Sequence, residues 1–160
     1  MLVQDIVNRP LFHGLAPEEL QRVAPIVSLV RLAAGQHIFG QGDPADRVYV
    51  LEQGEVALRL YPEDGGCLTI SVIHPAGVFG WSAVLGRPRY TSAAVSLVDG
   101  AALMMRGSEL RAAMHANAHL GRLLLGRLVL AAAGRTGDDH LHVARLIQQE
   151  LAHNALKEAQ

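Results

Sequence analysis

From Val27 to about Arg106 the chain is a succession of short apolar runs cut by glycine, proline and aspartate. The runs read VSLVRL, AAGQ, HIF, GQGDPAD, RVYVLEQG, EVALRLYPEDGG, CLTISVIHPAG and VFG. Val48 and Val50, then Val56, Leu58 and Leu60, recur at alternate positions, which is the period of a half-buried strand. Many short strands at this spacing, divided by turn residues, predict an antiparallel sandwich, roll or barrel. A parallel β-α-β order is disfavoured, because no helix-length segment lies between the strands.

Both flanks read differently. Pro17 and Glu18 suit a first helical turn, where a missing N–H and a negative charge are both tolerated. Leu20, Val23 and Ala24 then form one apolar stripe, and the expectation is a helix over 10–25. After Gly107 the helical pattern returns over 108–155. Ser108 is a candidate cap for SELRAAMHA, and Asn117 can cap or break before AHLGRLLLGRLVLAAA. Leu120, Leu124 and Leu128 make an i, i+4 ridge beside Leu123, Leu125 and Ala131. A third stretch carries Val143, Leu146, Ile147 and Leu151 on one face, and the helix bends or breaks between Gly134 and Gly137. The expected organisation is one domain over 1–160: a helix, a β-roll over 27–106, and C-terminal helices. The class is mainly β with flanking helices, an antiparallel β-roll of the double-stranded β-helix, jelly-roll-like kind, followed by a long dimerisation helix.

Composition narrows the function. One cysteine, Cys67, excludes an internal disulfide framework and a multi-cysteine metal site, and a buried or half-buried thiol is expected. No apolar run is long enough to span a membrane, and the N-terminus lacks the basic start of a signal peptide, so the default location is cytoplasmic. Residues 1–106 carry 8 basic and 10 acidic side chains, and 107–160 carry 6 and 5. Neither part has the basic surplus that phosphate neutralisation needs, so no DNA binding is expected of this chain alone.

The order of elements and the phrases LFHGLAPEELQRV and LAAGQHIFGQGDPADRVYVLEQGEVALRL resemble the cyclic nucleotide-binding domain of the catabolite-activator-like (Crp/Fnr) transcription regulators. Gly35, Gly42 and Gly54 stand where that family makes tight turns. The resemblance implies a phosphate-binding cassette, typically Phe-Gly-Glu-Leu followed by Arg-Ser-Ala. In it the glutamate binds the ribose hydroxyl, the arginine pairs with the cyclic phosphate, and backbone N–H groups complete the anion nest. Here the stretch runs from Gly77 to Val95. Phe79, Gly80, Ser92 and Ala93 match, but Trp81 holds the glutamate position and Thr91 the arginine position. Both principal polar contacts are missing.

Candidate ligand-binding residues are therefore Phe79, Gly80, Trp81, Ser82, Arg89, Thr91 and Ser92. Arg89, or Arg87 in the loop, can replace the lost guanidinium or stand exposed around Pro88, and the exposed arrangement is the favoured one. Trp81 either stacks on a planar ligand or is a plug or packing residue, with the second favoured. Tyr90 is read as a strand-surface residue. No cofactor is required; a cyclic nucleotide or another small anion is the effector class.

Eight histidines raise a metal reading. His115 and His119 have ligand spacing on a helix, but no glutamate stands as in HExxH, and a cupin-like metalloenzyme would need histidines clustered in its strands, where only His37 and His74 lie. Solvent-exposed histidines and no metal are expected, and nothing points to a catalytic nucleophile. In the family the long helix pairs with its twofold mate. Leu120, Leu123, Leu124, Leu128 and Ala131 are the candidate seam of a homodimer. A winged helix-turn-helix follows in family regulators, and no recognition-helix pattern remains after Leu151. The functional expectation is a non-enzymatic sensor domain with a diverged cassette. The alternative is a degenerate interaction or dimerisation module that takes no small molecule.

Overall fold

The computed structural model describes residues 1–133 and 156–157. The expected third helical stretch and the bend at Gly134–Gly137 lie outside the described residues. The N-terminal segment is a series of short pieces, not the single helix expected over 10–25. α1 spans Val3–Ile6, a 3₁₀ turn Pro10–Phe12, α2 Pro17–Val23 and a second 3₁₀ turn Ala24–Ile26. Gly14, at φ +77°, and Pro25 interrupt what the apolar spacing alone would run together. Pro17 does open α2, whose Leu20 and Val23 are buried, as is Ala24 at the start of the second 3₁₀ turn.

The strands follow: β1 Val27–Leu32, β2 His37–Phe39, β3 Arg47–Gln53, β4 Val56–Leu60, β5 Leu68–Ile73, β6 Val78–Phe79, β7 Ala93–Ser96 and β8 Gly100–Arg106. A short helix, α3 Trp81–Val84, sits between β6 and β7, and α4 Gly107–Ala116 and α5 Ala118–Ala133 follow β8. Two four-stranded antiparallel sheets, ordered β1-β8-β3-β6 and β2-β7-β4-β5, close the roll.

The alternation in the sequence has an unexpected meaning in β3. Val48, Tyr49, Val50 and Leu51 are all buried. Successive side chains point to opposite faces of a strand, and here both faces are covered. Val48 and Val50 join Val78, Leu103 and Met105 in a core shared with the helices. Tyr49 and Leu51 join Phe39, Phe79 and Tyr90 in a second core inside the roll. The first sheet is thus a wall between two cores.

The helices close the first core. Asn117 caps α5, its Oδ1 accepting from the Leu120 N–H at 3.1 Å. Ser108 is not the cap of α4, whose side-chain cap is missing and whose first residue is Gly107. That junction is set by packing: the Gly107 N–H donates to the Asp46 carbonyl at 2.9 Å. Leu120, Leu124 and Leu128 are at most 1% exposed, buried in the chain's own first core. The expected dimer seam is corrected accordingly: these three close the domain, and α5 leaves Leu123 and Leu125 half-buried and Leu130 70% exposed. Cys67 is exposed, not buried or half-buried, because it lies before β5 in the β4–β5 connection.

Candidate functional site

The cassette is the turn from β6 through α3 to β7. Phe79 is buried in the roll, stacked on Tyr49 with ring centroids 4.9 Å apart. Gly80 has φ +84°, and a Cβ there would stand 2.7 Å from the Arg47 carbonyl oxygen. Only glycine satisfies both the left-handed backbone and the close approach to β3. α3 follows at once, with the Ala83 N–H donating to the Gly80 carbonyl at 3.1 Å.

Ser82, Ala83 and Val84 are buried, and Trp81 is half-buried. The indole is a packing residue. It lies against the first core and against a small cluster of Leu85, Leu125 and Val129, so it joins α3 to α5. Arg111 of α4 holds the other end of α3, its Nη1 donating to the Ala83 carbonyl at 2.5 Å. The α4 start packs as tightly, since a Cβ on Gly107 would meet Ala83 O at 2.2 Å.

The loop from Gly86 to Ser92 is stitched to the β2–β3 connection. The Ala45 N–H donates to Pro88 O, the Tyr90 N–H to Asp43 O and the Gly42 N–H to Tyr90 O, at 3.1, 2.9 and 2.9 Å. The Arg89 guanidinium donates to the Gly42 carbonyl at 2.7 Å and is exposed. Arg87 is also exposed. Thr91 is exposed and Ser92 half-buried.

Tyr90 is the correction in this loop. It is 5% exposed, not a surface residue, and stacks on Phe39 at 3.7 Å between centroids. Its hydroxyl donates to the Arg47 carbonyl at 2.6 Å and accepts the Arg47 N–H at 3.1 Å. Burial, the largest influence, pushes the phenol up to about 12. The sequence carried a faint signal, an aromatic amid the polar stretch RPRYTS, but alternation cannot say which face of a bent loop turns inward.

Another arginine lies near Ser92. Arg59 of β4 stands opposite Ala93 in the register, and its Nε is buried without a hydrogen-bond partner. Its neighbour Leu58 and the paired Ala94 face the roll core. Arg59 therefore lies on the outer face of this sheet.

The structure brings Phe79, Gly80, Trp81 and Ser82 together on one turn. Arg89 is committed to the β2–β3 loop. The chain turns at Gly80 from β6 into α3, and the side chains at positions 81 and 91 are a half-buried indole and an exposed threonine. Such a turn can offer N–H groups and hydroxyls to a ligand, but no carboxylate and no guanidinium at those positions.

Away from the cassette, His119 Nδ1 lies 2.6 Å from Glu19 Oε1, linking α5 to α2. Glu19 also accepts the Ala16 N–H at 2.8 Å. The hydrogen bond with His119, then that from Ala16, holds this buried carboxyl below its ordinary range.

The sequence profile of the cyclic nucleotide-binding domain matches residues 29–117. The cyclic AMP receptor protein of Thermus thermophilus is 32% identical over 90 residues, 56% of this chain and 42% of that protein. Among solved structures, the N-terminal domain of a transcriptional regulator from Streptomyces coelicolor superposes with a TM-score of 0.61 at 26% identity, covering 76% of this chain and 85% of that one. The cAMP-binding acyltransferase of Mycobacterium smegmatis gives 0.68 at 26% identity, over 83% of this chain and 40% of that one. The chain spans less than half the length of the curated relatives it matches first.

Proposed function

The chain belongs to the cyclic nucleotide-binding domain family, and from that premise we propose that it is a non-catalytic regulatory module whose cassette no longer takes cyclic AMP through the family's carboxylate–arginine pair. The relatives include transcription regulators, and the proposed role is of that kind: to pass a state of the roll to α5, and through α5 to a second copy. The observation that carries the reading is Trp81. Where a ribose-binding carboxylate would stand, an indole packs against Val129 and fastens the cassette helix to α5 directly. With Thr91 exposed and Arg89 held by Gly42, no guanidinium stands at the phosphate position.

Calorimetry with cyclic AMP tests this. The wild type is expected to bind weakly or not at all. Thr91→Arg should tighten binding by about 10- to 150-fold, the worth of a charge-assisted pair of about 1.5–3 kcal/mol. Trp81→Glu alone should help less, because it sets a negative charge beside an anionic ligand and loosens the contact with α5. Micromolar binding by the wild type would overturn the reading. A small-anion effector of another kind would instead raise the melting temperature, by a stabilisation of RT ln(1 + [L]/Kd).

A further inference from the structure

A cleft of about 610 Å³ opens between the helix-facing side of the first sheet, the N-terminal segment and the end of α5. Of the Gly77–Val95 stretch only Val78 is among the residues that line it. Its volume falls within the roughly 300–1,000 Å³ of small-molecule sites. Val50, Val78, Leu103 and Leu11 supply apolar walls, and Leu130 and Ala131 stand on the α5 side.

The polar groups are few and unequal. Arg9 and Glu52 form a two-pronged pair, Nε to Oε1 and Nη2 to Oε2, the latter at 3.1 Å, so the acid of the lining is matched by one of its two cations. The second cation is Arg127. One of its N–H groups donates to the Leu11 carbonyl at 3.0 Å. A guanidinium carries five donors in a fork suited to carboxylate. Among the described residues no ion pair joins Arg127 to an acidic side chain. The lining therefore has one cationic charge in excess over an apolar floor.

We infer that this cleft is a binding site for a small amphipathic monocarboxylate, its carboxylate on Arg127 and its apolar body over Val78 and Leu103. Charge complementarity selects a single anionic group, and the aliphatic floor selects a hydrocarbon body over a ribose or base. The site goes beyond the cassette reading and does not depend on it.

The test uses octanoate and n-octanol, titrated into the full chain by calorimetry. Octanoate should bind one molecule per chain, at least tenfold more tightly than n-octanol. Arg127→Gln should erase that preference while n-octanol still binds, and Arg127→Lys, which keeps the charge, should retain part of it. Ala131→Trp should block both ligands by filling the cleft, whereas Glu63→Gln, an exposed change in the β4–β5 connection, should leave both unchanged. Equal affinities for the two ligands, no heat with octanoate, or an octanoate preference that survives Arg127→Gln would overturn the proposal. Because cyclic AMP is assayed on the cassette variants, failure here and failure of the cassette reading are separate results.

Discussion

Tyr90 fixes the cassette loop by two hydrogen bonds to one residue, Arg47, and by a stacked ring beneath them. Gly80 fixes the other side of the same turn. Gly80→Ala should destabilise the domain by more than about 1 kcal/mol from the left-handed backbone alone. The 2.7 Å approach to Arg47 O adds to that, because the atom it meets is backbone of a central strand and cannot move aside. Chemical denaturation of the variant checks this. Glu19 gives a pH dependence. Its carboxyl is held below its ordinary value near 4.5, first by His119 and then by the Ala16 N–H. A depressed acid contributes stability that is present above the unfolded-state value and is lost as pH falls through the folded one. Glu19→Gln should therefore melt lower than wild type at neutral pH, with the gap closing below about pH 4.5. A gap that persists undiminished at pH 3 would sink the assignment.

At the scale of elements, α5 is a lid on the first core before it is an interface. Leu120, Leu124 and Leu128 are buried at one-turn intervals along it. Leu124→Ala should cost about 2–5 kcal/mol, the range for a buried leucine truncated in a close-packed core. The readout is the free energy of unfolding, and the loss should be the same at low and high protein concentration. A loss that vanishes on dilution would return Leu124 to an intermolecular seam. α3 depends on three neighbours at once: the turn at Gly80, the Arg111 side chain, and the indole contact with α5. A four-residue helix is marginal alone, so its placement follows from those contacts.

For the whole molecule, two cores share one sheet, and α4 and α5 belong with the N-terminal pieces. No described helix is long and apolar enough to cross a membrane. Among the residues of α5 whose burial is described, Leu123, Leu125 and Ala131 are half-buried and Leu130 is exposed, and these are the apolar side chains we propose for contact with a second copy. We expect a dimer of about twice 17.2 kDa by light scattering at micromolar concentration. Leu125→Arg should shift it toward monomer without the large loss of fold stability expected at Leu124. A wild-type monomer under those conditions would remove self-association from the proposed function.

The antiparallel roll was legible because strand period and turn chemistry are local: alternating valines and leucines between glycines and prolines have few other uses. The long helix was legible for the same reason, from leucines spaced one turn apart, whereas the turn at Phe79-Gly80 was singled out only through its resemblance to a family motif. What a side chain faces is not local. The same ridge of Leu120, Leu124 and Leu128 serves a dimer seam or the chain's own core equally well, and only the packed sheet beneath it decided which. Tyr90 and Trp81 follow the same rule. One turned into the roll and the other onto α5, because burial of an aromatic ring depends on which apolar surfaces the remote β2, β3 and α5 segments bring within reach.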